Sequence, residues 1–142
     1  GPPDQPEAQT KEELWSAASS AETAGRHDVA RGLFGEYIER FPGDPLVPWA
    51  HFNVAASWYA QERWDEALQA CYALIVDHPQ ADATIYAWYY GGVSALQLGW
   101  CDGARSYLDY VASEDAGAPK DWRASAGEYI AAIEREPERW CW

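Results

Sequence analysis

The side chains of this chain best suited to covalent or metal chemistry are its three cysteines and three histidines. They are Cys71, Cys101, Cys141, His27, His51 and His78. No two cysteines are separated by two residues, and no two histidines lie four residues apart. Protein zinc sites commonly need such spacings. The pattern therefore predicts no metal site.

Adjacent acidic pairs are the next candidates for chemistry. Three such pairs, Glu12-Glu13, Asp65-Glu66 and Glu114-Asp115, fall at expected helix ends. Carboxylates in such places cap the backbone or face solvent, which is not the setting of general acid–base catalysis. No serine or cysteine lies in a recognisable nucleophile elbow. The sequence therefore predicts a non-catalytic protein without a cofactor.

The charge of the chain restricts its partners. Of 142 residues, 23 are acidic and 10 are basic, giving a formal net charge of −13. Phosphate binding needs a basic surface, so nucleic acid and anionic membrane surfaces are excluded as direct partners. Solvated helix faces explain the acidity, and steering of a basic partner is the alternative. The apolar stretch from Ile85 to Leu98 is too short for membrane insertion.

These residues are embedded in a repeat. Alanine recurs every 37 residues, at Ala30, Ala67 and Ala104, and its neighbours recur with it. The equivalent sets are Asp28, Asp65 and Asp102; Phe34, Cys71 and Leu108; Tyr37, Leu74 and Val111; and Pro42 and Pro79. A fixed period of this length indicates stacked helical hairpins. Such arrays commonly present a surface for partners and not a catalytic pocket.

Apolar spacing divides each repeat into two helices. Their predicted bounds are Lys11–Ala24, Asp28 to the stop at Phe41-Pro42, Pro48–Ala60, Trp64–Asp77, Asp82–Leu98, Cys101–Glu114 and Pro119–Arg135. Thr10 is the expected N-cap of the first helix, and Gly25 is expected to end that helix in a left-handed turn. Asp28 is expected to cap the second helix.

The domain organisation follows from these elements. Residues 1–10 contain three prolines and no apolar periodicity, which predicts a flexible linker or a remnant of tag cleavage. Residues 11–142 are expected to form a single domain. It would contain repeats at about 11–44, 48–81 and 85–118, followed by a capping helix at about 119–136.

The repeat resembles the tetratricopeptide repeat (TPR) family. The matching residues are the small Ala18, Ala55 and Gly92 of the first helices, the recurring alanines of the second helices, Phe34, Pro42, and the turns at Gly25 and Gly99. Glu62 departs from the glycine of the turn, and Trp122 to Tyr129 look like an incomplete fourth copy. The resemblance implies a right-handed α-solenoid of three hairpins plus a capping helix. Its concave groove would bind protein or peptide segments.

The period of 37 exceeds the usual family period of 34. The longer connections are similar to those of bacterial envelope TPR proteins, such as the outer-membrane-assembly lipoprotein and the periplasmic Tol–Pal coordinator. This similarity implies a periplasmic or outer-membrane-associated scaffold in a bacterium. A cytoplasmic scaffold is the alternative.

The family's groove-lining places map onto an aromatic set in the first helices. The predicted partner-binding residues are Trp15, Trp49, Phe52, Tyr59, Tyr86, Tyr89 and Arg123, the last as a holder of a carboxylate. Rigid aromatic surfaces anchor peptides well. Two alternatives stay open: the rings pack between helices, or the N-terminal segment or a neighbouring molecule fills the groove. Trp58, Trp64, Trp88 and Tyr37 are expected to pack inside.

The C-terminal end carries a further expectation. The last two long helices should run antiparallel, which brings Cys101 near Cys141 and predicts a disulfide, with free thiols as the alternative. Cys71 is expected to be a buried small hydrophobe. Trp140 and Trp142 could fold back, be covered by further chain or make an oligomer contact. A structural or self-assembling subunit that uses its convex face or this terminus is the second functional hypothesis.

Overall fold

The computed structural model describes residues 9–142, which are helical apart from their connections, with no strand in that range. The α-helices are α1 (Lys11–Thr23), α2 (His27–Arg40), α3 (Val47–Ala60), α4 (Trp64–Asp77), α5 (Thr84–Gln97), α6 (Cys101–Ala112), α7 (Lys120–Arg135) and α8 (Pro137–Trp140), with a 3-10 helix at Glu114–Ala116. The all-α prediction is confirmed. All but two residues of the predicted N-terminal linker lie outside the described range.

Several predicted helix bounds need correction. The fifth helix begins at Thr84 and not at Asp82, because the backbone NH of Thr84 instead closes a turn onto the carbonyl of Ala81. The sixth ends at Ala112, where Ser113 takes an extended conformation. The short α8 was not predicted. A proline in a first helical turn marks its start.

The first helix begins as the sequence predicts. The Thr10 hydroxyl accepts a hydrogen bond from the backbone NH of Glu13 at 3.1 Å. The Glu13 carboxylate accepts one from the backbone NH of Thr10 at 3.2 Å, which completes a capping box. The expected side-chain cap by Asp28 is wrong, because the N-cap of α2 is Arg26 and no side chain caps the helix. Asp28 lies inside the first turn of α2, where its carboxylate faces the positive end of the helix dipole.

The turn inside each hairpin repeats with the sequence period. Gly25, Glu62 and Gly99 have φ angles of 78°, 58° and 76°, all left-handed. The residue after each of them donates its backbone NH to a carbonyl five residues back. These pairs are Arg26 to Ala21 at 2.8 Å, Arg63 to Trp58 at 3.0 Å and Trp100 to Ala95 at 2.9 Å. This is the Schellman ending of a helix. Glu62 therefore keeps the backbone shape of its glycine counterparts.

The helices pack in chain order. Each helix from α1 to α7 contacts the α-helix that follows it, and α3 also contacts α5. The recurring apolar residues form the interior of each hairpin. All of Ala30, Ala67, Ala104, Phe34, Cys71, Leu108, Tyr37, Leu74 and Val111 are at most 1% exposed. The repeat in the sequence is thus a repeat of buried positions.

Two glycines set the distance between α5 and α6. A Cβ added at Gly92 would lie 2.8 Å from Cδ2 of Leu108, and one added at Gly91 would lie 2.7 Å from Cε2 of Tyr107. Cβ atoms essentially never approach other heavy atoms this closely. A small residue is therefore required at both places for α5 and α6 to approach this closely.

A polar contact joins the first hairpin to the second. Arg31 on α2 donates to the Ser57 hydroxyl at 2.9 Å and to the Gln61 side-chain oxygen at 2.7 Å. Its guanidinium carbon lies 3.5 Å from the centroid of the Trp58 ring, a cation–π contact. Trp58 is partly buried, and this contact places it between the first and second hairpins.

The connection between α2 and α3 is held by one carboxylate. Asp44 accepts hydrogen bonds from the Tyr37 hydroxyl at 2.7 Å, from the backbone NH of Leu46 at 2.9 Å and from Lys11 Nζ at 3.0 Å. These donors, the Tyr37 hydroxyl first, lower the pKa of Asp44 to about 2. Burial, followed by the same hydrogen bond, raises the pKa of Tyr37 to about 12.

Candidate functional site

A continuous network of nine aromatic side chains runs across the middle of the protein; we call it the aromatic lane. Its members come from α3, α4, α5 and α7, and all are partly buried. They are Trp49, Phe52, Tyr59, Trp64, Tyr86, Tyr89, Tyr90, Trp122 and Tyr129. Each ring keeps some contact with solvent while its neighbours fix its position.

Tyr86 lies at the centre of one end of the lane. Its ring centroid is 5.5 Å from that of Trp49, 5.6 Å from that of Phe52 and 4.7 Å from that of Trp122. Aromatic pairs at such distances stabilise each other beyond the area that they bury. Helices α3, α5 and α7 therefore meet through side chains at this place.

The other end of the lane is centred on Tyr90 and Tyr89. The Tyr90 ring lies 4.5 Å from the Tyr59 ring and is stacked on Trp122 at 6.0 Å. Tyr89 lies 4.6 Å from Trp122, and its hydroxyl shares a hydrogen bond with Ser125 Oγ at 2.7 Å. Trp122 thus touches rings from both ends and makes the lane continuous.

Burial affects three hydroxyl groups of the lane. It raises the pKa of Tyr59 to about 12, and it also raises the pKa of Tyr90 and Tyr129. The lane offers apolar ring surface together with hydroxyl groups that can form hydrogen bonds, a mixture typical of peptide anchor sites.

The structure places five of the seven predicted binding residues in this lane: Trp49, Phe52, Tyr59, Tyr86 and Tyr89. Trp15 lies apart from it. The Trp15 ring packs on Phe34 at 5.2 Å and on Tyr37 at 5.1 Å within the first hairpin.

Arg123 follows Trp122 on α7 and is partly buried. Its Nε atom is buried and finds no acceptor within residues 9–142. A carboxylate-binding role for Arg123 stays a prediction.

Four lane members were missed as binding residues. Trp64 was expected to pack inside, and Trp122 and Tyr129 were expected to belong to an incomplete fourth copy of the repeat, without a binding role. Tyr90 lies one helical turn after Tyr86, so helical spacing alone could have placed it on the same face. The ring contacts between α7 and α5 have no comparable signal in the sequence, because they depend on how α7 packs against the rest of the protein.

A cleft of about 460 Å³ opens beside the Trp49–Tyr86 end of the lane. It lies between the α4–α5 and α6–α7 connections. Its walls include Trp49, Tyr86, Trp88 and Tyr110 together with Asp82 and Asp115. This volume is in the range of small-molecule sites. A second cleft, also of about 460 Å³, lies beside Trp15 in the first hairpin.

The C-terminal end is covalently closed. Cys101 and Cys141 form a disulfide with their Cα atoms 5.5 Å apart. The backbone NH of Trp142 donates to the carbonyl of Gly99 at 3.1 Å, while its side chain is 80% exposed. Cys71 is fully buried, and burial raises the pKa of its thiol to about 12, so this thiol is unreactive.

The histidines lie in different environments. His27 Nδ1 is 2.8 Å from a carboxylate oxygen of Glu22. The rings of His51 and His78 are 5.5 Å apart, and burial lowers the pKa of His51. Within residues 9–142, no group of three or more His, Cys, Asp or Glu side chains is arranged to hold a metal ion. None of the described helices is long and apolar enough to cross a bilayer.

The fold and the site together define an all-α protein with a partly exposed aromatic network on α3, α4, α5 and α7. The sequence matches no protein-family model and no curated protein.

Proposed function

We propose that this chain is a non-catalytic protein–protein interaction module of the tetratricopeptide-repeat type. In this proposal three hairpins and a capping helix form a right-handed α-solenoid, and the aromatic lane binds a segment of a partner protein. The recurrence of the left-handed turn at residues 25, 62 and 99 supports the repeat. The packing, which is mainly between consecutive helices, also supports a repeat architecture.

The aromatic lane is the observation that carries the proposal. Its rings are partly exposed, yet each is held by aromatic neighbours, so little side-chain entropy remains to be lost when a ligand binds. Large rigid rings of this kind dominate the energy of protein interfaces.

The proposed setting is an envelope complex in the bacterial periplasm. The Cys101–Cys141 disulfide supports this location, because disulfides persist in oxidising compartments such as the periplasm. The net charge of −13 favours a basic protein surface over nucleic acid or anionic lipid as the partner.

The proposal is tested by selecting from a random peptide library on the immobilised protein. Peptides that bind the wild type should lose binding to the Trp49→Ala/Tyr86→Ala variant, which removes one end of the lane. The matched control is Tyr72→Ala, since Tyr72 is 59% exposed on α4 and outside the lane. Helical circular dichroism of each variant verifies folding. Selected peptides that bind the lane variant and the wild type equally well would refute the proposal, as would a failure to select any.

Self-assembly is the second candidate function, and the exposure of two tryptophans favours it. Trp100 is 51% exposed and Trp142 is 80% exposed, and both border the disulfide. Such surfaces commonly mark contacts between proteins. Sedimentation of the wild type and of Trp142→Ser tests this function. A concentration-dependent rise in mass that the substitution abolishes would support assembly, and a monomer at all concentrations would exclude it.

A further inference from the structure

The cleft beside the Trp49–Tyr86 end of the aromatic lane combines two kinds of wall. Four aromatic rings form two pairs, Trp49 with Tyr86 at 5.5 Å and Trp88 with Tyr110 at 4.6 Å between centroids. The faces of such rings carry negative potential and attract cations within about 6 Å.

The second kind of wall is acidic. Asp82 precedes α5, and Asp115 lies in the 3-10 helix after α6. Both side chains are exposed, and neither makes a hydrogen bond or ion pair with any of residues 9–142. In the part of the chain that the structure describes, no lysine, arginine or histidine lines the cleft. The two carboxylates are therefore not neutralised by a neighbouring cation.

Two features oppose this negative character. Helices α5 and α7 both begin in the wall of the cleft, at Thr84 and directly after Pro119, and two helix N-termini are together equivalent to about one positive charge. Two full negative charges outweigh that contribution. The ring faces act in the same direction as the carboxylates, so a cation is the favoured occupant.

We propose that this cleft receives an arginine side chain of the partner segment. The inference rests on the proposed function and adds the chemistry of one partner residue to it. A guanidinium is planar, stacks on aromatic rings and pairs with carboxylates through two parallel hydrogen bonds, so it uses both kinds of wall at once. The indole NH groups of Trp49 and Trp88 make no hydrogen bond within the described residues and stay able to contact the partner backbone.

The test follows the indole NH signals of Trp49 and Trp88 by NMR. Two probes of nearly equal shape are titrated: N-acetyl-arginine methylamide, and N-acetyl-citrulline methylamide, which lacks the charge. We expect the arginine probe to bind about fivefold more tightly, as expected from exposed ion pairs with Asp82 and Asp115. The Asp82→Asn/Asp115→Asn double variant should remove most of this preference. Asp28→Asn, an exposed aspartate on α2, is the matched control and should leave the preference unchanged.

Three results of the probe titrations would overturn the inference. These are equal binding of the two probes, no response to the arginine probe, and unchanged arginine affinity in the double variant. A library peptide that needs Trp49 and Tyr86 but neither aspartate would also overturn it while leaving the proposed function standing. The two proposals can thus fail separately.

Discussion

Removing the disulfide between Cys101 and Cys141 should destabilise the protein by about 4 kcal/mol. The bond closes a loop with a sequence separation of 40 residues. The loss of chain entropy in an unfolded state that carries such a loop amounts to about 13 cal/mol/K, which at 25 °C gives this free energy of unfolding. For a chain of 142 residues, each kcal/mol shifts the melting temperature by about 3 °C, so we expect a fall of about 12 °C.

The assay compares thermal unfolding of the Cys101→Ser/Cys141→Ser variant with that of the wild type by circular dichroism. A Cys71→Ala background prevents thiol exchange in both proteins. The disulfide links the end of α8 to the α5–α6 turn. Without it, backbone amides at the C-terminal end should be the first to lose their protection against hydrogen exchange. Hydrogen exchange should therefore accelerate in α7 and α8 before it does so in α3 and α4. An unchanged melting temperature, or equal acceleration in all helices, would refute the reasoning.

Three further perturbations test the turns, the close helix approach and the acid-sensitive cap. Glu62→Gly should raise the free energy of unfolding in urea by about 0.5–1 kcal/mol, because glycine adopts a left-handed backbone conformation without steric cost. Gly25→Ala should lower it for the same reason. A change of the same sign in both variants would contradict the turn argument. Gly92→Ala should lower the free energy of unfolding by about 1–3 kcal/mol, because the added Cβ clashes with Leu108. Gly127→Ala is the control and should be neutral or stabilising, since its Cβ would contact nothing. An unchanged stability of Gly92→Ala would refute the packing argument. The pKa of Asp44 falls from its usual 3.8 to about 2 on folding, so its stabilisation is present above pH 4 and disappears between about pH 4 and 2. In acid titrations followed by fluorescence, Asp44→Asn should be less stable at pH 7 and lose less on acidification, and identical pH profiles would contradict this assignment.

The sequence predicted the all-α class and most helix bounds because the apolar period is repeated in three copies. Glu62 departs from the turn glycine in the sequence, yet the structure gives it a left-handed φ of 58°, as it does for the aligned Gly25 and Gly99. The turn therefore recurs even at a position where local preference argues against it. The bounds near Thr84 and Ala112 were harder to predict, because there the connections end in turns that no strong local signal marks.

The aromatic lane could be predicted only in part. Helical spacing places Trp49, Phe52, Tyr86 and Tyr89 on the first helices of their hairpins, but it does not state which rings meet. Trp15 occupies an equivalent helix and yet packs within its own hairpin, because Phe34 and Tyr37 offer it aromatic partners there. Trp122 joins the lane through the docking of α7, a tertiary contact that the pattern of a single helix does not encode.

The sulfur bridge also affects how the chain survives proteolysis. Residues 101 to 141 form a closed covalent ring, and the connection between α6 and α7, an exposed stretch of the kind that proteases prefer, lies inside it. A single cut there would open the ring without releasing a fragment, so the nicked pieces would stay together until a reductant separated them. In an oxidising environment rich in proteases, α7 and α8 would therefore stay covalently attached to α6 after a first cleavage.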